Sequence, residues 1–191
     1  MEPNPHAHSA HLVSARWRAA LTLVSVWALT GAAARSLAQP VIDSLSTLGG
    51  QPARITVRAT GIEVYVCRSL NGPHKGDPPT YHWVESHASA ELTDAVTGAE
   101  AGHLSAGPTW EAADGSRVGG KLAGSVSAPG SLGWAVFEAG THLETGLLSR
   151  TVYIRQAFTS GGRAPRSGCD AAHAGSEARE PFTAVYIFYG P

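Results

Sequence analysis

Charge is scarce in this chain. Charged residues fill 15% of its 191 positions, against about 25% in typical soluble domains. The formal net charge is −1, and no run of five or more basic residues occurs. That excludes the electrostatic footprint by which a protein holds nucleic acid or an anionic membrane surface. Cysteine is nearly absent: there are two, Cys67 and Cys169, and neither sits in a Cys-His signature of the kind that marks a catalytic thiol. Other chemistry-bearing patterns are missing as well. No serine occupies a G-x-S-x-G elbow. No H-x-H, H-x-x-x-H or H-E-x-x-H links His74, His82, His87, His103, His142 and His173, so no metal is expected. No G-x-G-x-x-G follows a strand, no Asn-x-Ser/Thr sequon occurs and no repeat period is visible. Gly119-Gly120 and Gly161-Gly162 would cradle a phosphate only ahead of a helix, and none is expected there. No cofactor is therefore expected.

What the chain does have is an apolar leader and many turn residues. Residues 19–34, AALTLVSVWALTGAAA, follow Arg16 and Arg18. The run has the length of a secretory h-region and falls short of the ~20 residues that span a bilayer. Ala32-Ala33-Ala34 and Ser36-Leu37-Ala38 both offer small-residue cleavage sites, and cleavage after Ala38 is favoured. Residues 1–38 are thus read as a secretory signal peptide, with an uncleaved N-terminal anchor as the alternative. No other apolar run approaches membrane length. Export to a periplasmic or extracellular space follows, and there a Cys67–Cys169 disulfide is the default. The competing reading is one buried structural thiol and one exposed one.

Residues 39–191 are expected to form a single domain, large enough to bury a core without a metal. With 22 Gly and 12 Pro, turns should be frequent. Ile55 and Val57 alternate with Arg54, Thr56 and Arg58, the mark of a half-buried strand. Gly61 is expected to break it, and residues 62–67 to form the next strand. Residues 71–79, NGPHKGDPP, read as a loop. Short strands are expected at 81–84 and 89–94. Residues 118–128 place Val118, Leu122 and Val126 four apart, which is helical spacing. Their glycines would each cost a helix about 1 kcal/mol relative to Ala, so a kinked or bulged strand is favoured. Residues 132–138, LGWAVFE, read as a buried central strand with Trp134 in the core. Residues 151–158 continue the pattern, and 182–189 carry the strongest strand signal. Residues 170–177 could form a helical turn. The whole predicts an all-β, antiparallel sandwich or barrel with short strands, long turns and at most one or two short helical turns.

The densest cluster of unusual residues is 103–121, HLSAGPTWEAADGSRVGGK. A carboxylate held against an aromatic ring has a raised pKa and can act as a general acid. Glu111 beside Trp110, with Asp114 close by, therefore forms the candidate catalytic set, and His103 joins it. Glycoside cleavage needs two carboxylates ~5–9 Å apart, which Glu111 and Asp114 could supply. The structural reading weighs more: Trp110 packs in the core and Asp114-Gly115 is a hairpin turn. Trp110, Glu111 and Trp83 are the candidate ligand-binding residues, Trp83 being the ring expected nearest the surface.

This cluster contributes one of three blocks that form a wider pattern. They are Gly61-Ile62-Glu63-Val64-Tyr65-Val66-Cys67, then Ala106-Gly107-Pro108-Thr109-Trp110-Glu111 with Asp114-Gly115-Ser116, and then Tyr153-Ile154-Arg155-Gln156 with Gly168-Cys169 and Tyr186-Ile187-Phe188-Tyr189. Together they resemble the DUF3455 family over nearly all of residues 39–191. The resemblance implies an exported protein and says little about activity. Glu63 stands where that family more often has Gln, and 71–79 is an enlarged loop. Some members carry a malate dehydrogenase label, which the missing dinucleotide fingerprint speaks against. The function expected first is non-catalytic binding of a small molecule, a glycan or an envelope component. A secreted hydrolase using Glu111, Asp114 and His103 is the alternative, and a structural or stress-related role is the third.

Overall fold

A computed structural model of the chain describes residues 47–71 and 77–191. The signal peptide read over 1–38, and His74 with the middle of the 71–79 loop, lie outside the described residues. The elements are β1 (Thr47–Leu48), β2 (Gln51–Leu70), β3 (Thr80–Asp94), β4 (Glu100–Ser105), β5 (Thr109–Ala112), β6 (Arg117–Val126), β7 (Trp134–Leu143), β8 (Tyr153–Gly161) and β9 (Glu177–Tyr189), with one turn of 3-10 helix at Ala171–His173. Gly49 and Gly50 both have positive φ, 57° and 77°, as a two-residue type I′ hairpin between β1 and β2 requires.

Each strand pairs antiparallel with the next, and β9 returns to pair with β2 from Ala53↔Tyr189 to Val66↔Glu177. Of the nine strands, all but β1 belong to this ring, so eight strands close into an up-and-down barrel. Closure leaves β2 and β9 paired on both sides and removes the exposed sheet edge that an open sheet would carry.

Alternation sends one face of every strand inward. Val57 and Ala59 from β2 meet Ala90 and Leu92 from β3, Leu104 from β4, Trp110 and Ala112 from β5, Val118 from β6, Ile154 from β8, and Phe182, Ala184, Tyr186 and Phe188 from β9. Small and large side chains share this interior, as a narrow barrel needs. Trp110 is wholly buried at its centre. Its ring meets those of Phe137, Tyr186 and Phe188 edge-on, with centroids 5.3, 5.4 and 6.1 Å away, the geometry that aromatic quadrupoles favour. Gly120 makes room for it, since a Cβ there would lie 2.7 Å from the Trp110 ring.

Several strands are longer than the sequence suggests. Gly61 does not break the chain: β2 runs 20 residues through it. Gly61 is extended and sits so close to β3 that a Cβ would lie 2.1 Å from the Ser89 carbonyl oxygen, so its role is close approach of two strands. The separate strands expected at 81–84 and 89–94 are one, β3. A register shift at Val64/Tyr65 bends the β2–β3 pair without ending it. Residues 117–126 form a strand with shifts at Gly119/Gly120 and Leu122/Gly124, the bulged form expected for that glycine-rich run. Trp134 is not core: it faces outward and half-buried from β7, against Phe158 at 5.1 Å. The inward side of β7 belongs to Ala135, Phe137 and Ala139.

Beyond the ring, β2 and β3 project as a hairpin, and the segment after β8 folds back onto it. Cys67 is bonded to Cys169, with S–S 2.08 Å. Trp83, the register partner of Cys67, donates its indole N–H to the Ser167 carbonyl at 2.9 Å. Gly175 N–H donates to the Cys67 carbonyl at 2.8 Å. The bridge closes a loop of 102 positions, and the loop-entropy account gives such a crosslink up to about 4–5 kcal/mol. Cys169→Ser is expected to lower the unfolding free energy in urea by about 2–5 kcal/mol. An unchanged midpoint would mean that the fold-back segment is held without the bridge.

Candidate functional site

The inward face of the ring does not fill completely. A cavity of about 430 Å³ lies between the aromatic centre and the end of the barrel where the β2–β3 hairpin projects. That falls within the ~300–1,000 Å³ of small-molecule sites, and a closed eight-stranded sheet can hold one small ligand inside. Its walls are Leu104, Trp110, Leu122, Leu132, Ala135 and Phe137, and its polar groups are Glu63, Glu85, Ser105, Gln156 and Tyr186. Gln156 and Tyr186 are already committed: the tyrosine hydroxyl donates to Gln156 Oε1 at 2.8 Å, and Gln156 Nε2 donates to the Gly133 carbonyl at 2.9 Å.

Two polar atoms are not committed. Glu63 Oε1 and Trp110 Nε1 are buried with no hydrogen-bond partner, and they are the two such side-chain atoms among the described residues. Both residues line this cavity. A buried polar atom left unpaired costs about 1–3 kcal/mol, so the pair marks a place where a molecule carrying one donor and one acceptor gains most. Two recesses of about 470 Å³ lie at the opposite end, around Leu147. Neither includes Glu63 or Trp110.

Glu63 is 4% exposed. Burial first, then the charge of Glu85 and a hydrogen bond with it, push its carboxyl from 4.5 up to about 7. The same two carboxylates push Tyr186 up after burial, and they help push Tyr65 up to about 12. Glu63 can therefore give or take a proton near neutral pH inside apolar walls.

Of the side chains singled out by sequence, Trp110 alone lines the cavity. Glu111, one residue on, points out of the barrel. Arg117 Nε donates to its Oε2, and His103 Nε2 lies 3.6 Å from the same oxygen. The Arg117 hydrogen bond holds Glu111 below its ordinary value, the reverse of what a general acid needs. His103 and Glu111 are cross-strand partners, so these two do meet, on the outer surface.

Asp114 stands apart at the end of the barrel away from the cavity. Its Oδ1 accepts from Ser116 N–H at 3.0 Å and from Ser116 Oγ at 2.6 Å, while its Oδ2 accepts from Leu147 N–H at 2.8 Å. These bonds, the Ser116 hydroxyl first, hold its carboxyl low. Ser116 Oγ in turn accepts from Leu148 N–H at 3.1 Å. The Asp-Gly-Ser turn thus fastens residues 146–149 across that end, with Leu148 buried in the core. Trp83 spends its N–H on Ser167, and Cys67–Cys169 fixes the same segment. Among the described residues no group of three His, Cys, Asp or Glu is placed to hold a metal ion.

Sequence reasoning did not single out Glu85, Gln156 or Tyr186, and it noted Glu63 only as a departure from a pattern. One signal was present. Residues 57, 59, 61 and 63 share a face by alternation, and Glu63 is the one charged member among Val57, Ala59 and Gly61.

A family model described as "Protein of unknown function (DUF3455)" matches residues 49–190. No curated protein and no solved structure matches the chain.

Two measurements follow from this geometry. Leu148→Ala should cost about 2–5 kcal/mol, as buried Leu→Ala changes do, whereas Glu111→Gln should move the unfolding midpoint little, because it removes an exposed ion pair. Glu63 is protonated in folded and unfolded chains below about 4.5, and above that the unfolded chain loses the proton first. Stability should therefore fall as pH rises from about 4.5 to about 7, by on the order of a few kcal/mol, and level off above. Glu63→Gln should flatten that window in urea titrations, and an unchanged pH profile would refute the raised carboxyl.

Proposed function

This chain belongs to the DUF3455 family, and from that premise we propose that it is an exported, non-catalytic barrel that takes one small, largely apolar molecule into its interior cavity. The observation that carries this reading is the cavity of about 430 Å³ with largely apolar walls, whose lining residues Glu63 and Trp110 carry the two buried, unpartnered atoms Glu63 Oε1 and Trp110 Nε1. One requires a donor and the other an acceptor. A glycan stacked on the outside or an envelope polymer would leave both unanswered. A molecule with an apolar body, one donor and one acceptor answers both.

Export is supported by the leader read at 1–38 and by the Cys67–Cys169 bridge, which persists in oxidising compartments. No helix among the described residues is long and apolar enough to cross a membrane. Residues 39–191 then form the mature domain. The outward, ion-paired setting of Glu111 and the structural bonding of Asp114 give a hydrolase built on them no support.

The test is thermal and urea unfolding of the oxidised mature protein against a panel of small amphiphiles, glycans and envelope fragments. A ligand at about 100 times its dissociation constant should add about 2.7 kcal/mol to the native state. The stabilisation should vanish in Ala135→Leu, which places added bulk in the cavity wall. Stabilisation by glycans that survives Ala135→Leu would move the site to the outer surface and end the cavity reading.

A further inference from the structure

The polar complement of the cavity carries one sign of charge. Glu63 from β2 and Glu85 from β3 line it, and no Lys or Arg is among the described residues that do. Glu180 on β9 is the register partner of Glu63, and its charge reaches Tyr65. His87 is the one basic side chain on the wall, with its Nδ1 3.3 Å from Ser86 Oγ. Arg163 lines a separate recess with Tyr65. A carboxylate ligand would meet Glu63 and Glu85 with no compensating lysine or arginine, at a heavy cost in an apolar site. With a neutral ligand the repulsion between the two carboxylates is met by a proton that Glu63 keeps in its hydrogen bond with Glu85. A cation relieves that repulsion, and the rings of Trp110, Phe137 and Tyr186 favour positive charge near their faces. A bare metal ion is a poor fit, since no group of three metal-binding side chains occurs among the described residues.

We propose that the cavity selects an organic cation: a small apolar body bearing a primary or secondary ammonium, whose N–H groups donate to the carboxylates of Glu63 and Glu85. This rests on the small-molecule reading of the cavity and adds the sign and place of the ligand's charge. It carries a proton linkage. The ammonium requires Glu63 ionised, while the empty cavity holds that carboxyl at about 7, so binding expels a proton below that value. The titratable groups facing Glu63 are Glu85, His87, Tyr65, Glu180 and Tyr186. Both tyrosines are pushed up and stay neutral across this range.

The experiment is isothermal titration of the oxidised mature protein with three matched probes: phenethylamine, phenethyl alcohol and 3-phenylpropanoate. At pH 8 the amine should bind at least about tenfold more tightly than the alcohol, and the acid more weakly than either. From pH 7 to pH 5 the amine's affinity should fall by up to about tenfold per unit, while the alcohol's stays level. Glu63→Gln should bring the amine toward the alcohol's level at pH 8 and flatten its pH dependence between pH 5 and pH 7. Because the wild-type pH series reads the same coupling, the proposal stays testable if that variant folds poorly. Alcohol or acid binding as tightly as the amine at pH 8 would overturn the charge assignment and leave the cavity reading standing. So would uptake of the neutral dye Nile red that the amine does not compete away. Failure of all three probes together with exclusion of the dye would overturn both.

Discussion

The pairing of β2 with β9 is what the rest of the molecule depends on. It joins the first long strand to the last over 13 register pairs, from Ala53↔Tyr189 to Val66↔Glu177. Without it the remaining pairings describe an open meander with two unprotected edges. With it the same strands acquire an inside. Every consequence for function follows from there being an interior: Trp110 has somewhere to be wholly buried, the glycines and alanines around it have a purpose, and a carboxylate can be withdrawn from water.

The interior is not uniform along the barrel axis. Toward the Asp114 end Leu148, Val57, Ile154 and Phe188 join the core under residues 146–149, beside the two recesses around Leu147. Toward the hairpin end Glu63, Gln156 and Tyr186 bring polar groups to the inner wall. Trp110 sits between the two regimes. Three of its neighbours are aromatic, yet its N–H reaches none of them usefully. A buried indole that only had to fill space could be replaced by Phe without that unmet donor. Glu63 is a parallel case, since a Gln or Leu would avoid the repulsion from Glu85. Departures of this kind from the most stable arrangement belong to sites more often than to scaffolds.

Much of the fold was legible because β-sheet physics leaves a period-two trace. The disulfide, the all-antiparallel pattern and the bulged glycine-rich strand were all expected from alternation, turn residues and the apolar leader. Two things were not legible, each for a physical reason. Gly61 reads as a breaker because glycine is conformationally free, but here it serves steric closeness between strands, which depends on Ser89, far away in sequence. Ring closure is a contact between the two ends of the domain, and no local pattern encodes it. The site was harder still. The conspicuous residues of 103–121 divide among the barrel's interior, where Trp110 lies, its outer face, where Glu111 and His103 meet, and the end held by Asp114. That division was written in the parity of Trp110 and Glu111, adjacent residues that must face opposite ways in a strand. The cavity's acid, by contrast, is assembled from β2 and β3 across a bulge.

The clasp of residues 146–149 over one end has a bearing on how a guest would come and go. Asp114 and Ser116 close that end with three hydrogen bonds to the turn's own Ser116 and to the backbone of Leu147 and Leu148. Among the described residues that clasp stands between the cavity and the far end, and the rim of the cavity is formed by Glu85, His87, Gly107 and Pro108. Variation at Gly107 and Pro108 would therefore bear on passage across that rim, while Glu85 stands both at the rim and among the groups that face the interior.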